Sequence, residues 1–87
     1  MPYTIEFLKS AANDLRSLPK SRQSQLAGRI DSLKQDIFPP GVTKLQGEDK
    51  LYRLRVGDYR ILFEVDDTTR VVTIVKIGHR REVYRNL

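Results

Sequence analysis

Residues 51–62 read LYRLRVGDYRIL, and the way this stretch pairs with itself decides how the rest of the chain must fold. Gly57 and Asp58 sit between two apolar runs, and Gly followed by Asp is a signal for a two-residue hairpin turn. Counting outward from that turn sets Val56 opposite Tyr59, Arg55 opposite Arg60, Leu54 opposite Ile61, Arg53 opposite Leu62 and Tyr52 opposite Phe63. Successive side chains of a strand point to opposite faces. Tyr52, Leu54, Val56, Tyr59, Ile61 and Phe63 therefore share one face, and Arg53, Arg55 and Arg60 share the other. Like charges directly opposite each other cost a strand pair about 0.2–1 kcal/mol. A solvated face tolerates that. An anion between the guanidinium groups would remove it, because the planar arginine fork donates two parallel charge-assisted bonds to a phosphate.

The flanking sequence supplies the layer that covers the apolar face. Residues 3–7, YTIEF, alternate as a first strand. Leu8, Ala11, Leu15 and Leu18 then recur at helical spacing, and Leu18-Pro19 ends that helix or turns it. Leu26, Ile30, Leu33 and Ile37 repeat the pattern in a second helix over about residues 20–36, stopped by FPPG at 38–41. A polar loop, TKLQGEDK, leads into strands at about 50–56, 59–65 and 70–78, the last two joined by a DDTT turn. VVTIVKI (71–77) is apolar on both faces and belongs in the middle of the sheet, with the first hairpin strand at an edge. The expected fold class is α+β, in the order β-α-α-β-β-β: a largely antiparallel sheet with a helical hairpin packed on one face. The arginine face is left open.

At 87 residues the chain has room for one domain, 1–87, and one modest core. It has no cysteine, so disulfides, thiolate metal sites and cysteine nucleophiles are excluded, and a cytoplasmic location fits. The N-terminus has no apolar run of signal-peptide type, and no window is long and apolar enough to span a membrane. The net charge is +5 and the pI near 9.8. The C-terminal GHRREVYRNL adds Arg80, Arg81 and Arg85 to the hairpin arginines, with Tyr52, Tyr59 and Tyr84 interleaved. That balance points to a polyanionic partner, nucleic acid or acidic protein.

Several chemistries are missing. There is one histidine, His79, with no cluster at metal-ligand spacing, no G-x-S-x-G elbow and no phosphate-cradling glycine loop. Adjacent Asp66 and Asp67 read as turn residues. What remains suits cleavage of RNA by its own 2′-hydroxyl, which needs no metal or other cofactor. The nucleophile belongs to the substrate, so the protein has only to align it, stabilise charge on the phosphorane and assist two proton transfers. Arg53, Arg55, Arg60 and Arg80 can hold phosphate oxygens but stay charged and move no proton. Tyr84 can stack on a splayed base. Histidine is the side chain best suited to move protons near neutrality, which makes His79 the candidate acid or base, although a lone strand-end histidine can equally have no role. Lys44, Arg81 and Arg85 complete the RNA-binding set.

At these residues the sequence resembles a known family. KLQGEDKLYRLRVGDYRILFEV followed by VVTIVKIGHRREVYR is similar to the RelE-type toxins of type II toxin–antitoxin systems, within the RelE/ParE superfamily. The resemblance implies a ribosome-dependent mRNA endonuclease that cuts message in the A site, leaves a 2′,3′-cyclic phosphate and is neutralised by a RelB-like antitoxin. It implies operator DNA as a partner only through the antitoxin complex. In the best-known members two lysines stand where Arg53 and Arg55 stand here, arginines correspond to Arg60 and to Arg80 or Arg81, and a tyrosine to Tyr84. Arginine keeps the charge of those lysines and loses a proton carrier, which leaves His79 or Tyr84, or the ribosome, to move the proton. Two alternatives stay open: a ParE-like gyrase poison, and a catalytically weak relative that binds RNA or protein.

Overall fold

The computed structural model describes residues 2–45 and 50–79. Its elements are β1 (Thr4–Phe7), α1 (Lys9–Arg16), α2 (Lys20–Ser32), β2 (Val42–Lys44), β3 (Leu51–Val56), β4 (Tyr59–Asp66) and β5 (Val71–His79). The strands form one sheet in the order β1-β5-β4-β3-β2, antiparallel except where β1 runs parallel to β5. The fold class is therefore α+β, as the sequence implied, with one strand more. The hairpin register is the one counted from the turn, from Val56↔Tyr59 through Arg55↔Arg60 to Tyr52↔Phe63. Gly57, the first central residue, has φ +59°, and Asp58 is not in the left-handed region. That pattern belongs to a type II′ turn, whose twist matches that of the strands.

Ala11, Leu26, Ile30, Leu33 and Ile37 from the helical layer close over Leu54, Val56, Ile61, Phe63, Val65, Val72, Ile74 and Ile77 of the sheet. Leu8 departs from the predicted stripe. It lies in extended backbone just before α1 and is 45% exposed. The second helix is shorter than its periodicity, because its last turn tightens into bonds from Leu33 N to Ile30 O and from Lys34 N to Asp31 O. Ile37 lies beyond the helix and is still buried. Asp36 then accepts from the Phe38 N–H at 3.1 Å and starts the turn into FPPG.

The polar loop contains an unexpected strand. Val42, Thr43 and Lys44 pair with Leu54, Arg53 and Tyr52, so β3 is not an edge strand; β1 and β2 are the edges. Three residues are too few for alternation to register in a sequence.

A second departure matters more. Leu62 pairs with Lys76 but Phe63 pairs with Ile74, so Val75 is an extra residue in β5. Such a bulge shifts everything beyond it by one position and turns it to the other face. Beside the bulge, Asp14 of α1 accepts the backbone N–H of Ile77 at 3.1 Å. β1 pairs with β5 only as far as Ile74, so the carboxylate takes over where the neighbouring strand stops. Asp14→Ala is expected to lower stability by about 1.5–3 kcal/mol, the range for a hydrogen bond to a charged group, and Asp14→Asn by less. Chemical denaturation of the three proteins measures it; equal stability of Asp14→Ala and the parent would show that the bond contributes nothing.

Asp66 closes the β4–β5 turn, its Oδ1 accepting from Thr68 N at 3.0 Å and Thr69 N at 3.2 Å. The turn-forming reading of this aspartate holds. The Thr69 N–H, with that of Thr68, keeps the carboxyl below its ordinary range against the opposing effect of desolvation. A carboxyl whose folded pKa is depressed stabilises the fold above its unfolded value, about 3.9, and loses that contribution as pH falls through the lower folded value. The melting temperature of Asp66→Asn is thus expected to lie below the parent's at pH 6 and to converge on it as pH falls below about 4. A gap that stays constant with pH would contradict this.

Candidate nucleic-acid interface

The register builds the face opposite the helices in rows across the sheet. One row is Arg55, Arg60 and Gly78; the next is Thr43, Arg53, Leu62 and Lys76. Further along lie Glu64, Thr73 and Glu6, then Asp66, Val71 and Thr4. Among the described residues the face is thus cationic at the hairpin end and acidic at the other, and no helix packs on it. Arg53 and Arg55 of β3 come together with Arg60 of the adjacent strand β4, about 4.8 Å away, as the sequence predicted.

The middle of this face is not open. Arg60 is only 7% exposed and Leu62 is fully buried, although Leu62 does not belong to the core under the helices. Leu62 is flanked by Arg53 and Lys76 in the ladder, and stems of such side chains lie along apolar neighbours while the charged heads reach water. Arg60 folds back on its own hairpin, with Nη1 donating to Tyr59 O at 3.1 Å and to Gly57 O at 3.3 Å. These bonds fix the head of the side chain against the turn. Arg53 is half-buried, and Arg55 is exposed. One arginine of the facing pair is therefore held in place while its partner reaches outward.

Two other predicted residues lie elsewhere. His79 pairs with Tyr59, not Arg60, and its ring stands edge-on to that of Tyr59 with centroids 5.6 Å apart. It therefore belongs to the helix-side face, at the exposed end of β5. Lys44 pairs with Tyr52 and has the same parity. Neither shares the arginine face. Arg80, Arg81, Tyr84 and Arg85 lie outside the described residues. Lys76, on the arginine face by virtue of the bulge, escaped the sequence reading; only the residue spacing of the buried Val72, Ile74 and Ile77 signals it, two and then three.

What this surface can do is hold an anion with one guanidinium bonded to the turn and another exposed to solvent. Among the described residues no group of three or more His, Cys, Asp or Glu side chains could hold a metal ion, and no helix is long and apolar enough to cross a membrane.

Comparison with known proteins places this surface in context. The family described as the ParE toxin of type II toxin–antitoxin systems, parDE, matches residues 5–84. The chain belongs to the RelE/ParE family of type II toxins. Within that family it is 30% identical to toxin RelG of Mycobacterium tuberculosis over 98% of this chain and 99% of the relative. Among solved structures it is similar to the archaeal RelE–RelB complex from Pyrococcus horikoshii OT3, with a TM-score of 0.82 and 32% identity over 94% of this chain and 99% of that one. The M. tuberculosis toxin–antitoxin complex RelBE2 gives a TM-score of 0.82 at 28% identity, over 92% and 100% of the two chains. For a RelE/ParE toxin, the two helices over a mostly antiparallel sheet are the expected frame.

Proposed function

We propose that this toxin is a metal-independent endoribonuclease that cuts mRNA in the ribosomal A site, by attack of the substrate's 2′-hydroxyl, and is held inactive by a RelB-like antitoxin. The observation that carries the reading is the facing pair Arg55 and Arg60 with Arg53 beside it, on the sheet face away from the helices. In the reaction the 2′-oxygen bonds to phosphorus, the bond from phosphorus to the 5′-oxygen breaks, one proton leaves the 2′-hydroxyl and one reaches the 5′-oxygen. The arginines supply charge to the non-bridging oxygens as the phosphorane forms. Arg80 and Tyr84 are assigned phosphate contact and base stacking, with Arg81 and Arg85 as further RNA contacts. His79 belongs to the other face, which leaves the two proton transfers to Tyr84 or the ribosome.

The likeness to RelE chains solved with RelB supports an antitoxin as the physiological partner. A chain with net charge +5 is matched by an acidic segment that orders on binding. Operator DNA would be reached through that complex.

The match to the ParE description favours a second reading, a poison of DNA gyrase. Induction in growing cells separates the two. The nuclease reading predicts translation arrest with new 5′ ends inside coding regions and intact chromosomes. Intact messages with a DNA-damage response would overturn it in favour of the poison.

A further inference from the structure

We propose that Lys76 is a fourth anion contact of the RNA surface, acting with Arg53 across the buried Leu62; this rests on the reading of the face as an RNA site. Three observations lead there. The bulge at Val75 turns Lys76 out of the core and onto the arginine face, in the same row as Arg53. Without the extra residue, Lys76 would point under the helices, where a lysine is costly to bury. Next, Lys76 is half-buried, yet among the described residues no carboxylate pairs with it; the acidic residues of this face, Glu64, Asp66 and Glu6, lie in other rows toward the far end. Its charge is thus available to a ligand. Finally, the residue between Arg53 and Lys76 is uncharged, so no carboxylate stands between the two cations in their row. Leu62 has no exposed surface of its own, and its cationic neighbours stand one strand away on either side.

Two cations whose backbones are two strand spacings apart, about 10 Å, can converge on neighbouring phosphates of one strand through their long flexible side chains. Lysine fits this outer position, because a compact ammonium on a flexible stem follows a phosphate without demanding a fixed fork geometry. Arg60, pinned to the turn carbonyls, serves the opposite need at the hairpin end.

The test is binding of a short unstructured RNA to the full chain, followed by fluorescence anisotropy across a salt series from about 50 to 200 mM. Lys76→Ala is expected to weaken binding about tenfold or more at low salt and to reduce the slope of log affinity against log salt by about 0.7, one phosphate contact of a single strand. Lys76→Arg should restore most of both. Lys20→Ala, an exposed lysine of α2, should leave the slope unchanged. A merely structural role for Lys76 would not move the slope. If the parent binds RNA and Lys76→Ala keeps the parental slope, the contact is refuted while the nuclease reading stands. If Lys76→Arg behaves like Lys76→Ala, charge is not what Lys76 contributes and the proposal fails. A parent chain that binds no RNA under any of these conditions overturns the RNA reading of the face, and this contact with it.

Discussion

Replacing Arg55 by alanine is expected to slow message cleavage about 10- to 150-fold, the equivalent of one charge-assisted hydrogen bond of roughly 1.5–3 kcal/mol to the reacting phosphate. Arg55 is exposed, so the loss should come with little change in stability. Arg60→Ala should cost at least as much activity, and it should also lower the melting temperature, because it removes the bonds to the turn carbonyls of Gly57 and Tyr59. The double variant should lose less than the product of the two. Each arginine alone is freed from the repulsion of its neighbour, and residues in contact are not additive. Rates on programmed ribosomes, measured beside melting curves, separate these effects. Arg55→Ala cleaving at the parental rate would remove the facing pair from the mechanism.

The second large effect lies on the other side of the sheet. Phe63 is fully buried and stacks on Tyr52 with ring centroids 5.7 Å apart, and Tyr52 in turn meets Phe38. Truncating a buried phenylalanine costs about 3–5 kcal/mol. A domain of this size has about 4–13 kcal/mol in total. Phe63→Ala should therefore leave a fold that is marginal at best. Leu62→Ala removes a side chain buried equally well, but on the face away from the helical layer, and should fall at the lower end of the about 2–5 kcal/mol range for leucine. Urea denaturation ranks the two. A greater loss from Leu62→Ala would mean that the main core is not where the helices meet the sheet.

The contrast between these neighbours also shows what the sequence could and could not reveal. Counting outward from the Gly57-Asp58 turn was enough to pair the hairpin residue by residue, and with it to gather Arg53, Arg55 and Arg60. The helices were legible because Leu26, Ile30 and Leu33 repeat at helical spacing and are all buried. β2 was hidden by its three-residue length. The face to which His79 belongs was hidden for a different reason. VVTIVKI is apolar at nearly every position, so a one-residue bulge leaves no trace in its pattern while exchanging the faces of everything beyond it. That one residue took His79 away from the arginines and put Lys76 among them. Burial of Leu62 was equally illegible, since a leucine between charged residues looks like part of an exposed stripe until its cross-strand neighbours are known to be long and flexible.

The reaction proposed for this surface has one requirement that no binding measurement meets, a nucleophile from the substrate itself. The most direct measurement offers the toxin a ribosome stalled on a message with a single 2′-deoxynucleotide at the cleavage position, beside the same message with ribose throughout. The all-ribose message should be cut to an end carrying a 2′,3′-cyclic phosphate, and the deoxy message should survive at that position. Cleavage across the deoxynucleotide would contradict the account, because the attacking oxygen would then have come from somewhere other than the RNA.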